Sequence, residues 1–282
     1  MLLEALESVL SQSEPPREII VVDDGSLDIT NAQVEELRAL DSSLVYHRID
    51  HCGMPGAVRN VGVEVASGEW VAFLDSDDLW YPEKLALQRE CAASQPEVAL
   101  VHTLERWVRG EREVSQAGQR HRREGWLFPD ALVKCIIGPS TVMMRRELYR
   151  ALGGFRPDLE VAEDYEFWLR VTAHHPVAYI DRPLVQKRAG HGEQLSEKYG
   201  HIEQFRIRGL ERLVAEGYFS RAPQLPRYQT AESACADLEQ PARAELARKC
   251  RIYAAGAAKR GRAAEAGHYR ALADRYDPRP GP

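Results

Sequence analysis

The sequence has few cysteines, and their positions form no metal or disulfide pattern. Their number is odd and no CxxC pair occurs; the five are Cys52, Cys91, Cys135, Cys235 and Cys250. This pattern argues against a disulfide framework and against a zinc knuckle, and it fits a reducing compartment better than an oxidising one. We therefore expect a cytoplasmic protein.

Long hydrophobic runs are also missing. No segment reaches the roughly 18 consecutive apolar residues that suggest a membrane-spanning helix. Residues 1–10 are largely apolar, but Glu4 and Glu7 interrupt them, which favours an amphipathic helix over a signal core. We expect no transmembrane segment, although the basic C-terminal third would allow peripheral contact with the inner face of a membrane.

An excess of positive charge is the third absence. The formal net charge is -6, so we expect no nucleic-acid partner. The 282 residues, of which 44% are hydrophobic, suit one α/β domain or one domain with a small appendage.

Strands and helices alternate in the first third of the chain. The opening residues have helical spacing, and the buried strands EIIVV (18–22) and WVAFL (70–74) each precede a helical segment. A further strand is predicted over 44–49, with helices near 31–40, up to 66 and over 82–93. This order predicts an open α/β sheet with right-handed crossovers, which binds ligands beyond the carboxyl ends of its strands.

Acidic residues follow both of the strongly apolar strands. Asp23-Asp24 ends the first, and Asp75-Ser76-Asp77-Asp78 ends the second, so both clusters should face one crevice. Carboxylates at such spacing repel one another unless a cation offsets the charge, and Mg2+ and Mn2+ prefer oxygen ligands. A cation held by Asp77 or Asp78 could bridge a diphosphate. The alternative is a solvated turn that caps the next helix.

Other candidate residues have local explanations that compete with a functional one. Asp24 could accept hydrogen bonds from a base or a ribose, or form an Asx turn. Arg59 could reach a base or phosphates, or make a surface ion pair. Glu163-Asp164 could supply a general base, or merely complement a helix N-terminus. His191 could bind a metal or a diphosphate, or be solvated.

The second half of the chain changes character. Residues 98–200 mix short strands with a helix that begins near Glu163, whereas residues 201–276 are helical and rich in Ala, Arg and Leu. We predict domain boundaries at 1–200 (halves 1–97 and 98–200) and 201–276, with a flexible tail at 277–282. The C-terminal helices could cover an acceptor, bind a partner or form a homo-oligomer.

Three long motifs carry a family resemblance. They are LLEALESVLSQSEPPREIIVVDDGSLDIT (2–30), GAVRNVGVEVASGEWVAFLDSDDLWYPEKL (56–85) and GGFRPDLEVAEDYEFWLRV (153–171). Together they resemble the family 2 glycosyltransferases over about residues 1–196. The resemblance implies a GT-A fold, which is a Rossmann-like, mainly parallel mixed sheet flanked by helices, here with a C-terminal helical extension.

The resemblance also implies a donor site. The donor would be a nucleotide-diphosphate sugar, with a UDP-sugar as the usual case, and the cofactor would be Mg2+ or Mn2+. Asp24 would contact the base and Arg59 the nucleotide. Asp77 would bind ribose or metal, and Asp78 would ligate the metal.

The acceptor side is implied in the same way. Asp164 would be the catalytic base, supported by Glu163, and transfer would invert the anomeric carbon. His191 lies where many relatives have a basic loop near the diphosphate, and so joins the candidate metal ligands. The acceptor would be a saccharide, a lipid-linked molecule or another hydroxyl compound.

One departure and two alternatives remain. Relatives usually begin with a strand before the helix that opens this sequence, so we expect unpaired sheet edges and an apolar groove. Either the natural protein is longer, which we favour, or this is a short form. The alternatives are a non-catalytic binding module and a sugar-phosphate nucleotidyltransferase, although the latter should have a Gly-rich basic phosphate loop that is not visible here.

Overall fold

The computed structural model describes most of the chain. The described residues are 1–27, 32, 34, 36, 41–110, 112–115, 123–190, 202–221, 225–229, 231–234 and 236–277. Most of the helix predicted near 31–40 and the candidate residue His191 lie outside them.

The first half follows the predicted alternation. Its elements are α1 (Leu2–Leu10), β1 (Ile19–Asp23), β2 (Leu44–Arg48), α2 (Pro55–Val65), β3 (Trp70–Ala72), β4 (Leu79–Trp80) and α3 (Lys84–Ser94). α1 buries Ala5, Leu6 and Val9, which lie three to four residues apart and so share one helix face. α2 begins directly at Pro55, whose fixed backbone suits the first helical position.

The second half adds long strands and further helices. Its elements are β5 (Leu100–Arg109), β6 (Arg112–Val114), α4 (Phe128–Val133), β7 (Met143–Arg145), α5 (Arg146–Ala151), α6 (Glu163–His174), β8 (Ala178–Arg188), α7 (Ile202–Ala215), α8 (Ala231–Ala234), α9 (Glu239–Lys259) and α10 (Ala263–Tyr276). Short 3-10 turns occur at 139–141, 218–220 and 226–228.

The strands form two separate sheets. β1 pairs with β2, and a second sheet has the order β3-β7-β5-β8-β4 with β6 beside β5. The mixed sheet flanked by helices agrees with the expected fold class. However, among the described pairs two are parallel and four antiparallel, so the sheet is less parallel than expected. One reason is that β1 and β3, which follow the early α/β alternation, do not pair with each other.

A large cavity lies between these two sheets. Its volume is about 1500 Å3, and residues of α1, β1, α2, β3 and α3 line it. Within the described structure, β1 pairs only with β2 and β3 only with β7, so each leaves one edge unpaired. Val21 of β1 and Val71 of β3 both line the cavity. The unpaired edges and the apolar groove that were expected are therefore both present in the described structure.

The C-terminal helices pack against the segment 98–200 rather than apart from it. Leu210 of α7 and Leu246 of α9 are fully buried in the same apolar cluster as Tyr165 and Leu169 of α6. α9 and α10 form a helical hairpin around Gly261. Before them the chain contains the 3-10 turn at 226–228 and the short α8. The described helices contain none that is long and apolar enough to cross a membrane.

Candidate active site

The acidic turn after β3 brings three carboxylates together. Side-chain oxygens of Asp75, Asp77 and Asp78 all lie within 4.8 Å of one another. The turn is closed by a hydrogen bond from the backbone N–H of Asp78 to the carbonyl of Asp75 (3.0 Å). Oxygen ligands at this separation match the preferences of Mg2+ and Mn2+. This donor set therefore fits the hard divalent cation expected from the sequence.

Asp78 is the most deeply buried member of the turn. Only 1% of it is exposed. The hydroxyl of Ser140 donates to its Oδ2 (2.7 Å), and the same Ser140 oxygen accepts a hydrogen bond from the backbone N–H of Asp75 (3.1 Å). Burial raises the pKa of Asp78 to about 7, against the lowering effect of Lys187 and with a further rise from Asp75. Ser140 thus fixes the orientation of a carboxylate that burial alone would tend to neutralise.

Lys187 supplies positive charge beside this turn. It lies near the end of β8, and its Nζ is 3.8 Å from Oδ2 of Asp78. In the parallel register of β5 and β8 it stands opposite Trp107, with Nζ 5.6 Å from the ring centre. Burial would lower the pKa of Lys187, but Asp78, Asp75, Glu105 and Asp164 together raise it. The lysine is therefore charged at neutral pH.

Arg59 connects the acidic turn to the other half of the site. It lies on α2, and its two terminal nitrogens donate to Oδ1 of Asp75 and to Oε1 of Glu163, both at 2.6 Å. Burial would raise the pKa of Asp75, but Arg59 and Lys187 hold it below the usual value. The arginine thus holds the acidic turn and the start of α6 close together around one site.

The start of α6 carries the candidate base. Ala162 precedes it with φ +63°, a left-handed conformation that costs a non-glycine residue roughly 1–2 kcal/mol. Strained backbone of this kind is often found where side chains must be aimed at a function. Burial and the neighbouring Asp164 raise the pKa of Glu163 to about 7, although Arg59 acts in the opposite direction. Oδ2 of Asp164 lies 3.4 Å from the Sγ of Cys135.

Gly56 allows α2 to approach this helix closely. A Cβ at Gly56 would lie 2.9 Å from the Cβ of Phe155 and 3.0 Å from the Cγ of Glu163. Phe155 is itself fixed by Asn60, whose side chain bonds both its carbonyl (2.8 Å) and its N–H (3.0 Å). The glycine is therefore required by packing, and it brings Arg59 of the same helix within reach of Glu163.

Asp24 lies at the carboxyl end of β1 and holds the loop that precedes α2. Its carboxylate accepts hydrogen bonds from the backbone N–H groups of Cys52 (2.7 Å) and Gly53 (2.8 Å). Burial would raise its pKa, but these bonds lower it. Asp24, Arg59 and Asp75 line one end of the 1500 Å3 cavity, so this acidic group borders a space large enough for a ligand.

The structure brings most of the predicted residues together. Asp75, Asp77 and Asp78 form one cluster, and Arg59 joins it to Glu163. Asp24 borders the same cavity as Arg59, and His191 lies outside the described residues.

Sequence reasoning missed two residues, Ser140 and Lys187. Neither belongs to a motif, and each meets Asp78 only through tertiary contact, with Ser140 lying 62 positions away along the chain. Ser140 follows Pro139 and Lys187 lies at a polar strand end. Neither local sequence indicates a functional residue.

Sequence comparisons relate the chain to glycosyltransferases. The sequence model described as "Glycosyl transferase family 2" matches residues 1–153. A glycosyltransferase of Rickettsia conorii is 30% identical over 193 residues, which are 67% of this chain but 31% of the relative. TuaG of Bacillus subtilis, whose name assigns it to teichuronic acid biosynthesis, is 29% identical over 223 residues, or 74% of this chain and 83% of the relative. The chain thus spans about a third of the Rickettsia relative.

Solved structures share the fold. TarS 1-349 of S. aureus in complex with UDP-GlcNAc aligns with a TM-score of 0.59 and 22% identity, over 98% of this chain and 87% of that one. The mannosyltransferase PcManGT of Pyrobaculum calidifontis, in complex with GDP-Man and Mn2+, aligns with a TM-score of 0.53 and 21% identity, over 97% and 81%. At these identities the likeness shows the fold alone.

Proposed function

Because this chain belongs to glycosyl transferase family 2, we propose that it transfers a sugar from a nucleotide-diphosphate donor to a hydroxyl acceptor, with inversion at the anomeric carbon. The donor that we favour is a UDP-sugar, since two of the TarS structures with this fold hold UDP or UDP-GlcNAc. GDP-Man in PcManGT makes a GDP-sugar the next candidate.

The bridge through Arg59 is the observation that carries this proposal. It joins Asp75 of the acidic turn to Glu163 beside the candidate base, with both distances at 2.6 Å. A group-transfer site needs a place for the leaving diphosphate and a base for the attacking hydroxyl around one reacting carbon. The bridge supports such an arrangement, because it fixes the two acidic groups on opposite sides of one guanidinium.

The chemistry then follows from the positions of the carboxylates. Asp164 would take the proton of the acceptor hydroxyl. At the same time the oxygen of that hydroxyl forms a bond to the anomeric carbon. The bond from that carbon to the diphosphate oxygen breaks as the new bond forms on the opposite face. Glu163 would support Asp164, since it lies beside it and is held by Arg59.

Divalent metal binding is assigned to the acidic turn. Asp78 and Asp77 would hold Mg2+ or Mn2+, with Asp75 beside them and His191 as a further ligand. A bound cation would neutralise charge on the leaving diphosphate. Asp24 would contact the base of the donor and Arg59 the nucleotide.

The remaining assignments concern the acceptor and assembly. TuaG supports a role in polysaccharide biosynthesis, with a saccharide or lipid-linked hydroxyl as acceptor. We retain the division into a catalytic domain at 1–200 and a helical extension at 201–276, and the C-terminal helices as the surface for any homo-oligomer. A cytoplasmic location, with peripheral contact at the inner membrane face, completes the proposal.

Calorimetric titration with UDP tests the donor site. We expect binding in the presence of Mn2+ that EDTA abolishes, and we expect Asp78→Asn to weaken it. Asp274→Asn, an exposed position on α10, is the matched control. Failure of UDP, GDP and dTDP to bind the wild-type chain would contradict the proposal.

Substitution of the base tests the catalytic step separately. Asp164→Asn should keep donor binding but lose sugar transfer, measured as release of UDP from a UDP-sugar in the presence of candidate acceptors. Transfer at the wild-type rate by this variant would show that Asp164 is not the base.

A second candidate function is a non-catalytic nucleotide-sugar binding module. The unpaired edges of β1 and β3 favour it, because they leave an open cavity next to Asp24 and Asp75. Two results separate the functions: a binding module need not bind the donor metal-dependently, and the wild-type chain would transfer no sugar.

A further inference from the structure

The ammonium group of Lys187 lies inside the acidic site but forms no close contact there. Its distance to Oδ2 of Asp78 is 3.8 Å, which is beyond hydrogen-bond length. Within the part of the chain that the structure describes, no hydrogen bond is donated by its three N–H groups. The side chain is 19% exposed, so a ligand can reach it.

The neighbouring cation differs in this respect. Arg59 has both terminal nitrogens committed to carboxylates at 2.6 Å, and moving it would leave Asp75 and Glu163 without their partner. Breaking a buried ion pair of this kind is strongly unfavourable. Lys187 can turn towards a new anion at much smaller cost, because its ion pair with Asp78 among the described residues, at 3.8 Å, includes no hydrogen bond that would be broken.

The fold fixes where this charge can act. Lys187 pairs in register with Trp107 across β5 and β8, and the indole ring lies 5.6 Å from its Nζ. The charges of Asp78 and Asp164 both act on the ammonium group. The lysine is therefore held beside the acidic turn, where the diphosphate of the donor would lie under the proposed function.

We propose that Lys187 is a resident counter-ion of the acidic turn that passes to the phosphate oxygens of the donor when a divalent cation binds Asp78. The inference rests on the proposed function. Without ligands, the ammonium offsets the mutual repulsion of the three carboxylates. A divalent cation supplies more charge to the same oxygens, so it displaces the lysine's interaction, and the incoming diphosphate provides the ammonium with a new partner.

This exchange predicts effects of opposite sign for two ligands. In Lys187→Gln, Mn2+ alone should bind about fivefold more tightly, because a competing positive charge is gone. UDP at saturating Mn2+ should bind about tenfold more weakly, because a charge-assisted contact to phosphate is lost. Uridine, which has no phosphate, should bind equally to both proteins. Lys187→Arg keeps the charge and should retain most of the UDP affinity.

The experiment is a set of titrations on the full chain, with Mn2+ and UDP followed by calorimetry and uridine by saturation-transfer NMR. Arg182→Gln on the same strand is the matched control, since its exposed side chain pairs with Glu83. Thermal unfolding checks that each variant is folded. Opposite shifts for Mn2+ and UDP would support the proposal.

Other outcomes overturn it in distinguishable ways. An unchanged UDP affinity in Lys187→Gln, with normal binding by the wild type, removes Lys187 from the diphosphate site and leaves the proposed function standing. Equal losses for Mn2+, UDP and uridine indicate a merely structural lysine. If the wild type binds none of UDP, GDP and dTDP, the proposed function fails, and the assignment of Lys187 fails with it.

Discussion

Ser140→Ala is the most informative single change, because one hydroxyl holds two parts of the acidic turn. In the native chain that hydroxyl donates to Asp78 at 2.7 Å and accepts from the backbone of Asp75 at 3.1 Å, and Ser140 is fully buried. A hydrogen bond to a charged group contributes roughly 1.5–3 kcal/mol. We therefore expect the free energy of unfolding to fall by about 2 kcal/mol when Asp78 is ionised.

The loss should depend on pH in a defined direction. The pKa of Asp78 is already raised to about 7, and loss of the donor raises it further. A carboxyl group with a raised folded-state pKa gives stability that is complete below its unfolded pKa and lost as pH rises through the folded value. The variant should therefore be most destabilised above pH ~7 and closest to the wild type near pH ~5.

Guanidinium unfolding at the two pH values measures the loss of unfolding free energy in Ser140→Ala. Ser94→Ala is the control. Ser94 is exposed, and its hydroxyl bonds only the nearby carbonyl of Cys91 (2.8 Å). Calorimetry should also show Mn2+ binding weakened by about tenfold in Ser140→Ala, because the hydrogen-bond partners of a metal ligand fix its orientation. Equal destabilisation at both pH values together with unchanged Mn2+ affinity would refute the reasoning.

Three further predictions concern protonation and backbone geometry. The Mn2+ affinity of the wild type should rise about tenfold per pH unit up to pH ~7 and then level off, because Asp78 must lose its proton before it binds the metal. Calorimetry from pH ~5.5 to ~8.5 measures this affinity, and a flat profile would contradict the prediction. Gly56→Ala should cost about 1–3 kcal/mol in chemical unfolding and weaken UDP binding, because its Cβ would lie 3.0 Å from Glu163 Cγ. Gly62→Ala, which meets its nearest atom at 3.4 Å, is the control and should be no less stable than the wild type, since alanine also favours the helix by about 1 kcal/mol. Ala162→Gly should raise the thermal unfolding midpoint slightly. Glycine relieves about 1 kcal/mol of left-handed backbone strain, and the greater entropy of the unfolded glycine chain offsets part of that gain. A lower midpoint would show that no strain is stored at this residue.

The acidic strand ends were predictable because their signals are local. Asp23-Asp24 and Asp75 to Asp78 each follow a short apolar run, and polar residues directly after a buried strand mark its carboxyl end. The three-residue acidic cluster and its position beside α3 therefore followed from spacing. The choice of Glu163 and Asp164 as candidates depended on the family resemblance, because helix N-termini are commonly acidic for other reasons.

The length of β5 also has a physical cause that lies outside the local sequence. The polar residues Thr103, Glu105 and Arg106 interrupt the apolar pattern, yet the strand runs without a break. Pairing with β8 maintains the strand through this stretch, with register shifts near Leu104. A ladder partner that lies far along the chain overrides local propensity in this way.

The sequence by itself determined the α/β alternation, the family and the residue types of the candidate site. These depend on periodicity and on short motifs, in which neighbours along the chain decide the outcome. Only the tertiary structure decided how the charges are partnered: Arg59 between Asp75 and Glu163, Ser140 on Asp78, and Lys187 beside the same carboxylate. Electrostatic and hydrogen-bond energies depend on distance in space and on burial, and neither quantity can be obtained from the order of residues along the chain.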